Sequence, residues 1–307
     1  MRTSVAHRDG GATPLIIDET LVRALVSDQF AKWAHLPIRR VARGGWDNRS
    51  FQLGDDMVVR LPSAAPFAAQ VEKEQRWLPV LASSLSYPIP TPLGLGTPAR
   101  GYPWKWSIYR WLGGENVEPT SVADSTAFAT DVAAFLAELH RIEATEGPQP
   151  GPHNFYRGGT LSTYDAEVRE SIGRLESQID TDAATEMWES AIRTVWVGTP
   201  IWVHGDISLG NLLMLDGRLT GVLDFGSLAV GDPACDLSIA WTVFRGEARR
   251  AFRARLQFDA GTWLRARAWV LWKALIVAAG LVETNATEWT KPLSVIGNML
   301  GDRGINA

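Results

Sequence analysis

Short apolar runs typical of strands lie near the N-terminus, whereas apolar positions at helical spacing fill most of the later chain. Turn-forming residues, among them Gly44 and Gly45, separate the first two strands. The pattern of the first 112 residues predicts a helix over 18–33, followed by a strand ending near Val41 and a strand over 57–61. It then predicts a helix over 68–82, an extended proline-rich connector over 88–98 and a strand over 104–112.

The chain after Gly113-Gly114, which we interpret as a hinge, is mostly helical. It predicts helices over 125–142, about 162–180 and 184–196, and from residue 232 to the end, with short β runs between 201 and 225. Strands therefore come first and helices later. This order indicates an α+β fold with two lobes, over residues 1–112 and 113–307, rather than alternating βαβ units.

Composition is that of an ordinary folded protein, with 46% hydrophobic and 21% charged residues in a chain of 307. The formal net charge of -4 disfavours a nucleic-acid partner, because such proteins usually carry a basic patch. The single cysteine, Cys235, excludes an internal disulfide and suits a reducing compartment. Residues 1–13 lack the apolar stretch of a signal peptide, and the apolar run 270–282 is too short to span a membrane. We therefore expect a cytoplasmic protein without a membrane partner.

Asp216-Gly217 stands between two apolar runs, which is a strong indication of a two-residue β-hairpin. Counting outward from this turn pairs Asn211 with Val222 and leaves Asp224 two positions further along the second strand. Diagonal neighbours of this kind lie about 7–8 Å apart, so one divalent cation could contact both side chains.

Asp206 precedes Asn211 by five residues, so two carboxylates and one amide oxygen are expected to converge at the predicted hairpin. Hard oxygen donors with room for phosphate oxygens are what Mg²⁺ requires, and Asp206 could then accept a proton or orient a hydroxyl. Two other interpretations are capping aspartates on a surface hairpin and a metal-dependent phosphohydrolase. The second would need several further histidine ligands, and the chain has five histidines in all.

The spacing from His204-Gly-Asp206 to Asn211 is that of the kinase catalytic loop, and Asp224-Phe-Gly226 is the kinase metal motif. With the run Gly231-Asp-Pro-Ala-Cys-Asp-Leu237, these segments resemble the aminoglycoside phosphotransferase family, small-molecule relatives of protein kinases. The resemblance covers about residues 38–242. It implies a bilobal protein-kinase-like fold, with an N-terminal antiparallel sheet lobe that carries one main helix. The larger, mostly helical C-terminal lobe would carry the catalytic hairpin.

The same resemblance implies an enzyme, a kinase with an alcohol group as acceptor. Asp206 would be its catalytic aspartate, and Asn211 and Asp224 would be its Mg²⁺ ligands. Asp232 is expected to cap a helix, and Asp236 to brace the catalytic loop rather than contact the substrate. The N-terminal lobe would bind the nucleotide, and the C-terminal lobe would hold the catalytic and substrate-binding residues.

In the N-terminal lobe the family needs a basic residue on a strand to hold the α- and β-phosphates, and a helix glutamate to hold that residue. Arg60 and Glu74 occupy these positions. Arginine stands where lysine is usual and binds phosphate differently, which leaves ATP and GTP both open as the nucleotide. Gly44 and Gly45 are the nearest substitute for a glycine-rich loop over the phosphates.

For the acceptor, the resemblance implies a small molecule, foremost an antibiotic such as an aminoglycoside or a macrolide. The alternatives are a metabolic kinase for a choline-like or amino-alcohol substrate and a nucleotide-binding module without catalysis. An aminoglycoside site should present several carboxylates, which Glu283 and Glu288 could supply, whereas a macrolide site should be wide and apolar. Trp263, Trp269 and Trp272 could line this cleft, and Trp104, Trp106 and Trp111 near the hinge could stack on adenine or the substrate, although core packing is the simpler interpretation for each. We expect a monomer.

Overall fold

The N-terminal lobe is built on one antiparallel sheet of five strands. The structure is a computed structural model that describes residues 15–42, 45, 47–282, 284 and 289–301. The strands are β1 (Ile38–Arg40), β2 (Asn48–Leu53), β3 (Met57–Pro62), β4 (Pro92–Gly96) and β5 (Trp106–Arg110). Their spatial order is β1-β2-β3-β5-β4, so β3 lies at the centre of the sheet.

The sequence pattern does not predict β2 and β4. Asn48, which the pattern assigns to a turn, begins β2, and this strand buries Phe51 and Leu53. The extended connector over 88–98 contains β4 at the edge of the sheet. Proline is tolerated at an edge because no ladder hydrogen bond is lost there, so the proline and glycines of this segment concealed a strand.

Two longer helices complete this lobe, α1 (Glu19–Gln29) and α2 (Ala68–Ala82). Asp18 caps α1 by accepting a hydrogen bond from the Leu21 amide at 2.9 Å. The predicted helix over 18–33 is therefore shorter than expected, and a 3₁₀ turn follows it (Ala31–Trp33). The prediction for α2 is confirmed to the residue.

The C-terminal lobe is mostly helical, as the sequence predicts. Its helices are α3 (Pro119–Val122), α4 (Thr126–Leu139), α5 (Asp165–Arg174), α6 (Thr181–Ile192), α7 (Ile239–Thr242), α8 (Gly246–Leu256), α9 (Ala260–Ala278) and α10 (Pro292–Gly301). Its strands are β6 (Glu115–Asn116), β7 (Ile201–Val203), β8 (Leu212–Leu215), β9 (Arg218–Val222) and β10 (Ala229–Gly231). Strands β6, β8 and β9 form one small antiparallel sheet, and β7 pairs with β10.

The hairpin of β8 and β9 turns at Asp216-Gly217, as predicted, but its register changes part of the way along. A β-bulge between Leu213 and Met214 shifts the pairing by one residue, so Leu212 rather than Asn211 lies opposite Val222. The predicted pairing of Asn211 with Val222 is therefore wrong. The Asn211 carbonyl instead accepts the Leu223 amide at 2.7 Å, which brings Asn211 one residue closer to Asp224 along the partner strand.

Two clusters of buried apolar residues form the core. The smaller cluster lies between the five-stranded sheet and α1, and it includes Leu25, Phe51 and Trp106. The larger cluster fills the helical lobe around α9, and α2 contributes Trp77 and Leu78 to it. Helix α2 thus packs against both lobes. Within the described ranges, no helix is both long and apolar enough to cross a membrane.

Candidate active site

Three polar side chains converge at the end of the β8–β9 hairpin. Asp206 follows β7, Asn211 ends a 3₁₀ turn (Leu209–Asn211) just before β8, and Asp224 follows β9. The Asn211 side-chain amide donates to the carboxylate and to the backbone carbonyl of Asp206, both at 2.9 Å. Asp224 adopts a left-handed backbone conformation (φ 62°), which is costly for a non-glycine residue and marks a backbone constrained by its surroundings.

Asp236 holds the loop that carries Asp206 in place, as the sequence predicts. Its two carboxylate oxygens accept the backbone amides of His204 and Gly205, each at 2.7 Å. Gly205 is required at its position, because its φ is positive and a Cβ would lie 2.4 Å from the Ser227 carbonyl oxygen. Burial raises the pKa of Asp236 to about 6, although His204 and the two amides oppose this shift.

His204 links this loop to the strand end that carries Asp224. Its ring is fully buried, with Nε2 2.9 Å from the Leu223 carbonyl oxygen and Nδ1 3.2 Å from the Asp206 amide. A carbonyl can only accept and an amide N–H can only donate, so these two contacts make Nε2 the donor and Nδ1 the acceptor. The position of Asp206 relative to Asp224 is therefore set by hydrogen bonds within the interior.

Arg60 on β3 connects the sheet lobe to this site. Its guanidinium lies 3.2 Å from the Glu74 carboxylate on α2 and 2.9 Å from the Asp224 carboxylate. The other Glu74 oxygen accepts the Tyr109 hydroxyl at 2.5 Å. Burial alone would lower the pKa of Arg60, but the Asp224 and Glu74 carboxylates raise it, so the guanidinium stays charged. The predicted association of Arg60 with Glu74 is present.

Of the two glycines predicted to cover the phosphates, Gly44 lies outside the described residues. Gly45 lies over the hairpin end, since a Cβ built on it would be 3.9 Å from Asp224 Oδ2. Asp47, which the sequence analysis missed, accepts a hydrogen bond from Gln70 at 3.1 Å. Burial and the charge of Asp224 raise its pKa to about 7, with a smaller contribution from Asp206. Its only sequence signal was its place in the turn after Gly45.

The donor atoms suit a magnesium ion that also binds phosphate. Asn211 uses its amide nitrogen within the protein, so its Oδ1 is available, and Asp224 Oδ2 is not engaged by the hydrogen bonds or ion pairs of the described chain. In the same part of the chain, no group of three or more His, Cys, Asp or Glu residues could hold a metal by itself. Mg²⁺ is commonly held by one or two protein oxygens together with substrate phosphates and water, which matches this set.

A cavity of about 90 Å³ lies beside Asp206, which is one of the residues that line it. Trp269 and Trp272 line it, so these two tryptophans do face the cleft, whereas Trp106 is buried within the sheet lobe. The cavity also contains two basic side chains that the sequence analysis did not assign, Arg157 and Lys273. Lys273 is a charged residue within the apolar run 270–282, which is a visible sequence signal, whereas Arg157 lies in a loop and has no comparable signal.

Comparison with known proteins relates the chain to phosphate-transferring enzymes. The model of the phosphotransferase enzyme family (APH) matches residues 38–269. An uncharacterized protein of Bacillus subtilis (strain 168), YcbJ, is 27% identical over 213 residues, which make up 62% of this chain and 64% of the relative. The chain thus spans less than two thirds of the length of this relative. Aminoglycoside 3'-phosphotransferase of Escherichia coli is 25% identical over 214 residues, 68% of this chain and 76% of that enzyme.

Among solved structures, the GDP and kanamycin complex of APH(2")-IIia superimposes with a TM-score of 0.71. It covers 93% of this chain and 100% of that chain, at 19% sequence identity. Similarity at this level of identity establishes the fold, which is the bilobal α+β architecture expected from the sequence.

Proposed function

The chain belongs to the phosphotransferase enzyme family, whose members transfer phosphate to hydroxyl groups, and from this premise we propose that it transfers the γ-phosphate of ATP or GTP to a hydroxyl of a small molecule. The observation that carries the proposal is the convergence of Asp206, Asn211 and Asp224 at one hairpin end, with Arg60 bound to Asp224. All three hairpin residues are present, which disfavours a binding module without catalysis.

Each residue has a role that its surroundings support. Asp206 borders the cavity and is positioned to orient the acceptor hydroxyl and take its proton. Arg60, held by Glu74, supplies a guanidinium for the nucleotide phosphates. Asn211 and Asp224 would hold Mg²⁺, which neutralises phosphate charge when bound. Catalysis of this kind depends mainly on positioning and charge, since phosphoryl transfer passes through a loose transition state.

The proposal also assigns the two lobes and the nucleotide loop. Residues 1–112 would bind the nucleotide, with Gly44 and Gly45 over the phosphates, and residues 113–307 would hold the catalytic loop and the acceptor. A nucleoside triphosphate as phosphate donor suits an enzyme of the cytoplasm.

Two acceptor classes follow from the family: an antibiotic such as an aminoglycoside or a macrolide, and a small metabolite. Two features of the cavity favour the metabolite. Of the described residues that line it, only Asp206 is a carboxylate, whereas an aminoglycoside needs several partners for its ammonium groups. Glu283 and Glu288, which the sequence offered for this purpose, lie outside the described residues. The volume of about 90 Å³ is also below the roughly 300–1,000 Å³ of pockets for drug-sized ligands, which disfavours a macrolide.

The test of the proposed function measures nucleoside diphosphate release with Mg²⁺ and either ATP or GTP, across aminoglycosides, macrolides, amino alcohols and hydroxy acids. Asp206→Ala is expected to lower turnover by about 10²–10⁴-fold, the usual contribution of a positioned base. Asp216→Asn, at the exposed tip of the same hairpin, is the matched control and should leave turnover unchanged. Unimpaired turnover in Asp206→Ala would remove Asp206 from this role.

A further inference from the structure

The cavity beside Asp206 contains an excess of positive charge. Lys273 on α9 and Arg157, from the loop after α4, both line it, while Asp206 is the one acidic residue of the described lining. The two basic residues are 116 positions apart in sequence, so only the packing of α9 against the loop brings them to the same cavity. Their charge faces the place where the acceptor must approach Asp206.

Among the described residues, Lys273 has no hydrogen-bond or ion-pair partner that could account for its position. The side chain is partly buried and lines the cavity. Burial lowers its pKa, and the nearby Arg157 lowers it further, while Asp206, Asp47 and Glu167 oppose the shift. A buried ammonium without a partner is unfavourable, and an anion bound in the cavity would remove that cost.

Arg157 is held by several contacts and still has an unpaired donor among the described residues. Its Nε donates to the Gly205 carbonyl at 2.8 Å, and its guanidinium lies near the rings of Trp269 and Trp272, 4.9 and 5.3 Å from their centroids. Its Nη1 is buried and has no hydrogen-bond partner in the part of the chain that the structure describes. An unsatisfied buried donor costs about 1–3 kcal/mol, so this nitrogen marks a position where a ligand oxygen would be stabilising.

From these observations we infer that the acceptor is a small hydroxy acid, whose carboxylate is bound by Arg157 and Lys273 while its hydroxyl faces Asp206. The inference rests on the proposed function, because it concerns the second substrate of the same site. A carboxylate matches the planar donor edge of a guanidinium. A single negative charge also suits the cavity better than a dianion, because Asp206 contributes a negative charge of its own.

The same arrangement disfavours a cationic acceptor. An ammonium group placed here would be close to two positive side chains in a site partly shielded from water, where like charges repel more strongly than in bulk solvent. The contacts of Arg157 with two indole rings and with the Gly205 carbonyl favour this position of its guanidinium, close to an incoming cation. The site should therefore select by charge as well as by size.

The experiment compares acceptors that differ mainly in charge. One series is glycerate, glycerol and 3-amino-1,2-propanediol, and the other is gluconate, sorbitol and glucamine, each running from anionic through neutral to cationic. Release of nucleoside diphosphate is measured with Mg²⁺ and the preferred nucleotide. In at least one series we expect kcat/KM for the anionic member to exceed that for the cationic member by at least about tenfold, which corresponds to roughly 1.4 kcal/mol.

Lys273→Met removes the charge while keeping much of the side-chain volume. It should raise KM for the anionic acceptor by about tenfold or more and leave KM for the neutral member nearly unchanged. Lys105→Met is the matched control, because Lys105 is exposed and pairs with Glu72 outside the cavity. Circular dichroism and thermal melting establish that both variants are folded.

The outcomes separate this inference from the proposed function. A preference for the cationic member, or an equal fall in kcat for all three members in Lys273→Met, would overturn the hydroxy-acid inference while leaving the kinase proposal intact. In the second case the cations would serve the phosphoryl group instead. If no acceptor leads to release of nucleoside diphosphate, the result counts against the kinase proposal.

Even without turnover, the anion site can be tested directly by binding. Glycerate and gluconate are titrated into the protein while tryptophan fluorescence is recorded, because Trp269 and Trp272 line the cavity. We expect a saturable change that is weakened by Lys273→Met and retained in Lys105→Met. If neither acid produces a saturable change, or if Lys273→Met has no effect on it, the inference is wrong.

Discussion

The buried ion pair between Arg265 and Asp232 allows a quantitative test of how this lobe is held together. Arg265 on α9 places Nε 2.6 Å and Nη2 3.3 Å from the two Asp232 oxygens, and both side chains are almost fully buried, with 4% and 9% of their surface exposed. Asp232 also caps the 3₁₀ segment Pro233–Ser238. The pair therefore attaches the segment that braces the catalytic loop to the helix that carries Lys273.

Arg265→Met would leave the Asp232 carboxylate buried without its cation. Removing one partner of a buried ion pair costs about 3–5 kcal/mol of folding free energy, because the remaining charge loses its compensation. In the double variant with Asp232→Asn, part of this loss should be recovered, since no isolated charge remains.

A second arginine–aspartate pair provides a control with similar geometry and different burial. Arg100 lies 2.6 and 2.8 Å from the Asp28 oxygens, but the two side chains are 56% and 38% exposed. Exposed pairs of this kind contribute little, because water solvates the separated charges nearly as well. We expect the unfolding midpoint of Arg100→Met to stay close to that of the unchanged protein.

The assay is urea unfolding followed by tryptophan fluorescence, with the slope compared between variants so that free energies of unfolding can be derived. The expected order of stability is unchanged protein and Arg100→Met together, then the double variant, then Arg265→Met. Equal losses from Arg265→Met and Arg100→Met would refute the reasoning, because burial would then not determine what these pairs contribute.

Three further predictions concern the site and its support. Asp236→Asn should lower turnover and cost about 1–3 kcal/mol of stability, because an asparagine side chain has one acceptor oxygen where Asp236 uses two to accept backbone N–H groups. Unchanged kinetics would show that these two hydrogen bonds are dispensable for turnover. For Asp47, the folded-state pKa of about 7 lies above the ordinary aspartate pKa of 3.8, so between these pH values the folded protein holds a proton that the unfolded chain has lost. Its contribution makes stability fall as pH rises from about 4 to 7, by at most about 1.4 kcal/mol per pH unit. Urea unfolding across this range should show a shallower dependence in Asp47→Asn, and an unaltered slope would contradict the assignment. Gly231→Ala should cost about 1–3 kcal/mol, because its Cβ would lie 2.1 Å from the Gly158 carbonyl oxygen. The control is Gly173→Ala, whose Cβ would have no described residue from outside its own helix within 4 Å, so no stability should be lost. Similar unfolding midpoints for the two variants would contradict this.

The hairpin illustrates how far counting along the sequence can go. The turn at Asp216-Gly217 and the meeting of Asp206, Asn211 and Asp224 follow from turn chemistry and short spacings, which act over a few residues. The bulge after Leu213 could not be counted, because a bulge depends on how the hairpin packs against its surroundings.

The sheet of the N-terminal lobe was predicted less completely. Helix α2 has a clear apolar period and was found to the residue, whereas β2 is mostly polar and β4 contains proline and glycine. Strand formation depends on partners that are distant in sequence, so a short strand with a weak pattern leaves little local signal.

The sequence by itself determined the phosphate-transfer motif and the order of strands before helices, because each follows from a local pattern or a recognisable spacing. The pairing of Arg60 with Glu74 followed from the family resemblance that the motif carries. Only the tertiary structure decided what lies around Asp206. It brought Arg157 and Lys273 to one cavity and left both without an ion pair among the described residues. Charge in a cavity is the sum of side chains from distant segments, and no local pattern encodes that sum.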